Sequence, residues 1–263
     1  MSVGSNVVKL TAKTALKGNF LKVVAASSIF VFGWIVCVSL SELLGIITGE
    51  IIATVIFLGL FLFLCLPILL GVVRYVWRML FSVTDSPVAV FYLFSSKELY
   101  VKSLKLIFQF VLRIVFWFLV LNIPSLLLFL LSKSFVFEFF NSATPVWTAN
   151  LAYYSRLLLN LTSVIVFFIM LKFYIAPILF VADSNIDVGE AMYLSSVISR
   201  KSSIDFIGIL VTSVGWILLS ILILPLPFTL PLLLTYYAVH VRFAVAEYNK
   251  HIEDSKSNEA GFI

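Results

Sequence analysis

Six stretches of this chain are apolar and long enough to cross a bilayer, and the basic residues between them sort to one side. A span needs roughly 20 consecutive apolar residues to cross about 30 Å of hydrocarbon. The stretches are residues 23–40, 51–73, 104–131, 157–182, 204–224 and 226–246. None shows strict period-two alternation, and lipid offers no water to unpaired backbone groups, so helices are expected. The third and fourth exceed what an upright helix needs, and must tilt, kink or run on into the interface. Charge is scarce: 62% of the residues are hydrophobic, 12% are charged, and 26 are Phe. That is too little charge to coat a water-soluble domain of this length. The expected fold is an all-α polytopic transmembrane helical bundle of six spans. Residues 1–248 would form one transmembrane domain and residues 249–263 a polar cytoplasmic tail.

Orientation follows from Lys and Arg. Lys9, Lys13, Lys17 and Lys22 precede the first span, and Arg74, Arg78, Lys97, Lys102 and Lys105 follow the second, the last of them at the inner end of the third. Arg200 and Lys201 precede the fifth, and Arg242, Lys250 and Lys256 close the chain. The alternate connections carry only Lys133 and Arg156, with Glu42 and Glu50 in the first of them. The positive-inside rule then predicts cytoplasmic N- and C-termini and six crossings. A cleaved signal peptide is the competing reading of the first span, but the segment is longer than a usual apolar signal core. The net charge of +5 reads as topology and attraction to anionic head groups, with no nucleic-acid partner.

The spans pair into three helical hairpins. Near the inner end of each even-numbered span a proline is followed by aliphatic residues: Pro67, Pro177 and Pro231. A proline in a span removes a ladder hydrogen bond and crowds the carbonyl four residues back, so these three are expected helix-bend positions. Before each odd-numbered span runs a polar, partly basic stretch, around 15–20, 94–100 and 194–201. These read as interfacial lead-in helices. In the first, Lys9, Lys13 and Lys17 form one stripe at i, i+4 and i+8, with Val8, Ala12, Ala15 and Leu16 away from it. Such a helix would rest on the inner leaflet; a flexible basic tail is the alternative.

Catalytic signatures are missing from the text. There is no phosphate-binding G-x-x-x-x-G-K-[ST] loop, no G-x-S-x-G elbow, no H-E-x-x-H and no Cys pair at metal spacing. No cofactor, metal or catalytic residue is therefore expected, and the protein reads as a non-enzyme. Cys37 and Cys65 lie in separate spans and read as small core hydrophobes. His240 is expected at the inner interface. Two charges inside spans need an account, Arg113 and Lys172. Gln109 precedes Arg113 by one turn and Trp117 follows it by one turn, on the same face. A charge at such depth costs several kcal/mol unless it snorkels or finds a partner. One reading is a cytoplasm-facing pocket of Arg113, Lys172 and Gln109 that holds an anionic lipid head group. The other is that both long side chains snorkel to the interface.

The lead-in around Ala15-Leu16-Lys17-Gly18-Asn19-Phe20 resembles the opening of a family of uncharacterised bacterial integral membrane proteins. The closing unit resembles it too, from Glu190-Ala191 through Arg200-Lys201, Gly215-Trp216, Pro231 and Tyr236-Tyr237. That family is similar to the membrane domain of membrane-anchored glycerophosphodiester phosphodiesterases. The resemblance implies six spans and a bacterial plasma (inner) membrane; the phosphodiesterase's catalytic domain has no counterpart here. The expected function is a non-enzymatic membrane module that binds membrane lipids, anionic ones among them, or a membrane protein partner. The alternative is a small transporter or channel subunit with a cytoplasm-facing cavity.

Overall fold

The apolar text folds as helices throughout the described residues of the computed structural model, which are 4–83, 85–133, 145–183, 185–221 and 225–260. Among the described residues five helices are long and apolar enough to cross a membrane, and a sixth span is available if one sharply bent pair counts as one. This is the architecture of a multi-pass membrane protein. Residues 134–144, between the third and fourth expected spans, and the end of the tail at 261–263 lie outside the described residues. The chain divides into two compact units, one built from Met1–Ile107 and Phe173–Ile263, the other from Phe108–Lys172.

In the larger unit, α1 (Ser5–Leu16) is a helix whose Val8, Ala12 and Leu16 are buried at i, i+4 and i+8. The helix expected from the basic stripe is therefore present. Its apolar face, however, packs on protein: Val8 and Ala12 join Ile209, Tyr236 and Val239 in one cluster. Next, α2 (Phe20–Thr48) and α3 (Glu50–Leu60) are joined by Gly49 alone, at φ 91°. Only glycine adopts that backbone without strain, and it reverses the chain in a single residue. A π turn (Phe61–Cys65) leads straight into α4 (Leu66–Met79). Pro67 sits in the first turn after it, where the missing N–H costs least.

After α4 the chain turns back through Ser82, at φ 60°, and lays a 3-10 helix (Pro87–Phe94) against it. The approach is close. A Cβ at Gly71 would fall 1.8 Å from the Val90 carbonyl oxygen. The Arg74 guanidinium carbon stands 3.4 Å from the centre of the Tyr92 ring, and Arg78 pairs with Asp85 at 2.9 Å. These are cation–π and ionic contacts that hold the basic end of α4 under its own following segment.

Helix α5 (Lys97–Lys133) passes from the larger unit into the smaller, where α6 (Pro145–Met170) follows. Within the smaller unit, Ser125 and Ser155 exchange hydroxyl-to-carbonyl hydrogen bonds at 2.8 and 2.9 Å, both buried. Small hydroxyl residues at a helix contact allow close approach and satisfy each other where lipid cannot. A 3-10 turn (Leu171–Phe173) then precedes α7 (Ala176–Ala182), with Pro177 again in the first turn.

In the larger unit, Asp187 caps α8 (Val188–Thr212) by accepting the Gly189 N–H at 2.9 Å. A 64° bend at Ser213 separates α8 from α9 (Val214–Ser220). The last helix, α10 (Leu226–Ala260), runs unbroken through Pro231 and carries on through most of the polar tail. The three prolines are thus not equivalent. Pro67 and Pro177 follow non-α turns; Pro231 lies inside a continuous helix, with the Thr235 hydroxyl donating to its carbonyl at 2.6 Å.

Candidate functional site, a cavity at the bend between α8 and α9

The helix breaks at Ser213, between Thr212 and Val214-Gly215. The bend opens a cavity of about 210 Å³ between α8, α9 and α10. Its walls are Phe206, Ile209, Leu210, Ser213, Ile217, Leu233, Leu234, Tyr236 and Tyr237. They are almost wholly apolar. Ser213 is the exception: it is 1% exposed, and its Oγ has no hydrogen-bond partner among the described residues. A buried hydroxyl left in that state costs about 1–3 kcal/mol, so such groups ordinarily find a water or a ligand.

Helix α1 closes over the bend. Lys9 Nζ donates to the Thr212 carbonyl at 2.8 Å, and Ser5 Oγ meets Thr212 Oγ1 at 3.1 Å. A lysine on the last carbonyls of a helix satisfies an orphan acceptor and complements the negative end of the dipole. Lys9 Nζ also stands 5.9 Å from the centre of the Tyr236 ring, and Tyr236 is a cavity wall. One ammonium group therefore sits beside the apolar cavity, held by both a carbonyl and an aromatic face.

Behind the cavity lies a buried polar network. The Tyr174 hydroxyl lies 2.8 Å from His240 Nε2 and 2.9 Å from Ser202 Oγ, and Tyr237 donates to the Tyr174 carbonyl. Phe206 stacks on Tyr174 at 4.3 Å, and Phe206 and His240 stack at 5.5 Å. Phe206 and Tyr237 belong to both the network and the cavity wall. His240 is 2% exposed, and its Nδ1 has no partner among the described residues. The imidazole is buried among these side chains. Sequence reading missed this because Tyr174, Ser202 and His240 are far apart in the chain and each alone is an ordinary residue near a span end.

The residues expected to form an anion pocket lie in the smaller unit. Arg113 is half-buried on α5 and donates Nη1 to Gln109 Oε1 at 3.4 Å, one turn back, as their spacing implied. Lys172 is exposed within the 3-10 turn Leu171–Phe173. Neither lines the cavity at the bend. A second and wider cleft, of about 650 Å³, lies between α2 and α3 and is lined by Ser41, Glu42, Glu50 and Thr54 among apolar residues. Among the described residues no three His, Cys, Asp or Glu side chains are grouped to hold a metal ion. No family model matches this chain, nor does any curated protein or any solved structure.

Proposed function

We propose that the protein is a non-enzymatic integral membrane module that binds an anionic lipid. The carrying observation is the juxtaposition at the bend: an apolar cavity with the Lys9 ammonium group beside its Tyr236 wall. Ligand pockets commonly enclose about 300–1,000 Å³. The cavity at the bend is smaller and suits part of an acyl chain rather than a whole ligand. The chain would fill it, an ester oxygen would reach the Ser213 hydroxyl, and the phosphate would meet Lys9. Lys13, one turn after Lys9 on α1, continues the attraction along the helix. On this reading the termini are cytoplasmic, the spans number six, and the home of the protein is a bacterial plasma membrane.

The test is native mass spectrometry of protein released from vesicles of mixed phosphatidylglycerol and phosphatidylcholine. The wild type should retain phosphatidylglycerol. Lys9→Gln should retain about tenfold less, the loss of about 1.4 kcal/mol from one charged contact. Leu210→Trp, which fills the cavity, should retain almost none. The Arg113→Leu, Lys172→Leu double variant should retain as much as the wild type. If that double variant alone loses lipid, the pocket lies in the smaller unit instead.

The bent α8–α9 pair and the buried Tyr174–His240–Ser202 network also favour a second reading, a small transporter. Broken helices and buried ionisable groups occur together at transport sites. Solute flux into protein-containing vesicles, absent from His240→Leu, would mark that function.

A further inference from the structure

Cys37 and Cys65 come from different helical segments, α2 and the π turn, yet their sulfur atoms lie 3.4 Å apart. Both are free thiols, 1% and 0% exposed. Each sits within about one helical turn of the centre of its apolar stretch, Phe20–Ile47 or Glu50–Met79. The pair therefore lies near the middle of two stretches long and apolar enough to cross a membrane.

The π turn is held by more than its own backbone. It widens the helix at Phe61–Cys65, and the Phe63 carbonyl accepts the Tyr100 hydroxyl at 2.9 Å. Insertions of this kind are rare and recur at functional positions. Here the insertion presents Cys65 to Cys37 and leaves its neighbours Phe63 and Leu64 exposed on the outside of the helix.

We propose that Cys37 and Cys65 are a redox pair that closes to a disulfide, with a lipid-soluble quinone as the electron acceptor. Two S–H bonds break and one S–S bond forms. The two protons and two electrons reduce the quinone to its hydroquinone. Modest side-chain rotation brings sulfurs already in contact to bonding distance. Packing otherwise keeps buried thiols inert, so the reaction proceeds when the π turn loosens beside Phe63 and Leu64 and admits the quinone from the lipid. The product ties α2 to the middle of the next span, and the state of the pair reports the lipid phase rather than the aqueous one.

The experiment uses the full chain in lipid nanodiscs, first reduced with a membrane-permeable dithiol. A short-chain ubiquinone is added, the protein is denatured in N-ethylmaleimide, and the intact mass is read. The expected result is a protein lighter by two hydrogens with no maleimide, which takes two maleimides after reduction. Its melting temperature should rise by about 5–10 °C on oxidation. The Cys37→Ser variant should take one maleimide with or without quinone and show no rise. Two maleimides on the quinone-treated wild type, or a quinone adduct on either sulfur, would overturn the proposal. So would closure by an aqueous oxidant that quinone does not reproduce.

Discussion

Helices α5 and α10 are both long enough to span a bilayer, but they meet opposite surroundings. Only 11% of the most apolar stretch of α5 is buried, against 50% in α10. The more buried helix is the less apolar of the two. In a soluble protein the order would be reversed. A helix must be apolar on whatever face meets lipid, because a polar side chain there finds no water. One facing protein can carry Thr229 and His240, because Ser220 and Tyr174 on other elements receive them. Exposed Phe116, Leu119 and Leu126 on α5 follow the first rule. Burial in this chain thus marks where polar side chains are allowed, and so where chemistry can be placed.

The contrast breaks first at Gly71, on a protein-packed helix. Gly71→Ala puts a methyl group into the Val90 carbonyl, which is backbone and cannot swing away. The expected loss is about 3 kcal/mol or more, at the upper end of overpacking costs. It should appear as a large fall in melting temperature and folded yield, whereas Leu119→Ala on α5 should change little. Next in size is Leu119→Asp, which sets a carboxylate on the lipid-exposed face. Its cost should be about 3 kcal/mol of insertion free energy, read in a membrane-insertion assay of the α5 segment. A smaller effect is expected for His240→Leu. It removes the Nε2 contact but leaves the Tyr174 hydroxyl bonded to Ser202, so the loss should be about 1 kcal/mol. A fall as large as that of Gly71→Ala would mean the network, rather than close packing, holds the larger unit together.

The smallest effect lies outside the spans, at Asp187. The Gly189 N–H and then Lys105, at 3.2 Å, hold its carboxyl below the usual carboxylate range. A carboxylate whose folded pKa is depressed contributes stability above its unfolded pKa, about 3.9. That contribution fades as the pH falls from there through the lower folded value. Melting temperature should therefore drop slightly more steeply below about pH 4 in the wild type than in Asp187→Asn, which keeps the cap without the charge.

Spans were legible in the sequence because runs of apolar residues carry the signal locally. The basic lead-in helix was legible too, since Lys9 and Lys13 share one face at helical spacing, although α1 ends before Lys17, which caps it in an extended conformation. What packs on the opposite face was not. Val8 and Ala12 meet residues some two hundred positions away, and periodicity says nothing about a distant partner. The break at Ser213 was hidden inside an apolar run, with Thr212-Ser213 its only trace. For the candidate site, Gln109 and Arg113 are joined as their spacing implied, because a pair one turn apart is a local fact. The cavity beside Lys9 and the contact between Cys37 and Cys65 depend on which helices touch, which no window of sequence contains.

The single-residue joint at Gly49 has a consequence for how the chain enters its membrane. Two segments of about 30 residues each, separated by one glycine, have no slack for the first to cross alone while the second waits in water. They must go in together, as a preformed pair, with Gly45 and Ala53 already in contact near the tip. Synthesis would therefore have to run past Met79 before either segment commits. Lengthening the joint with a flexible insert would uncouple the two, turning a concerted insertion into a sequential one.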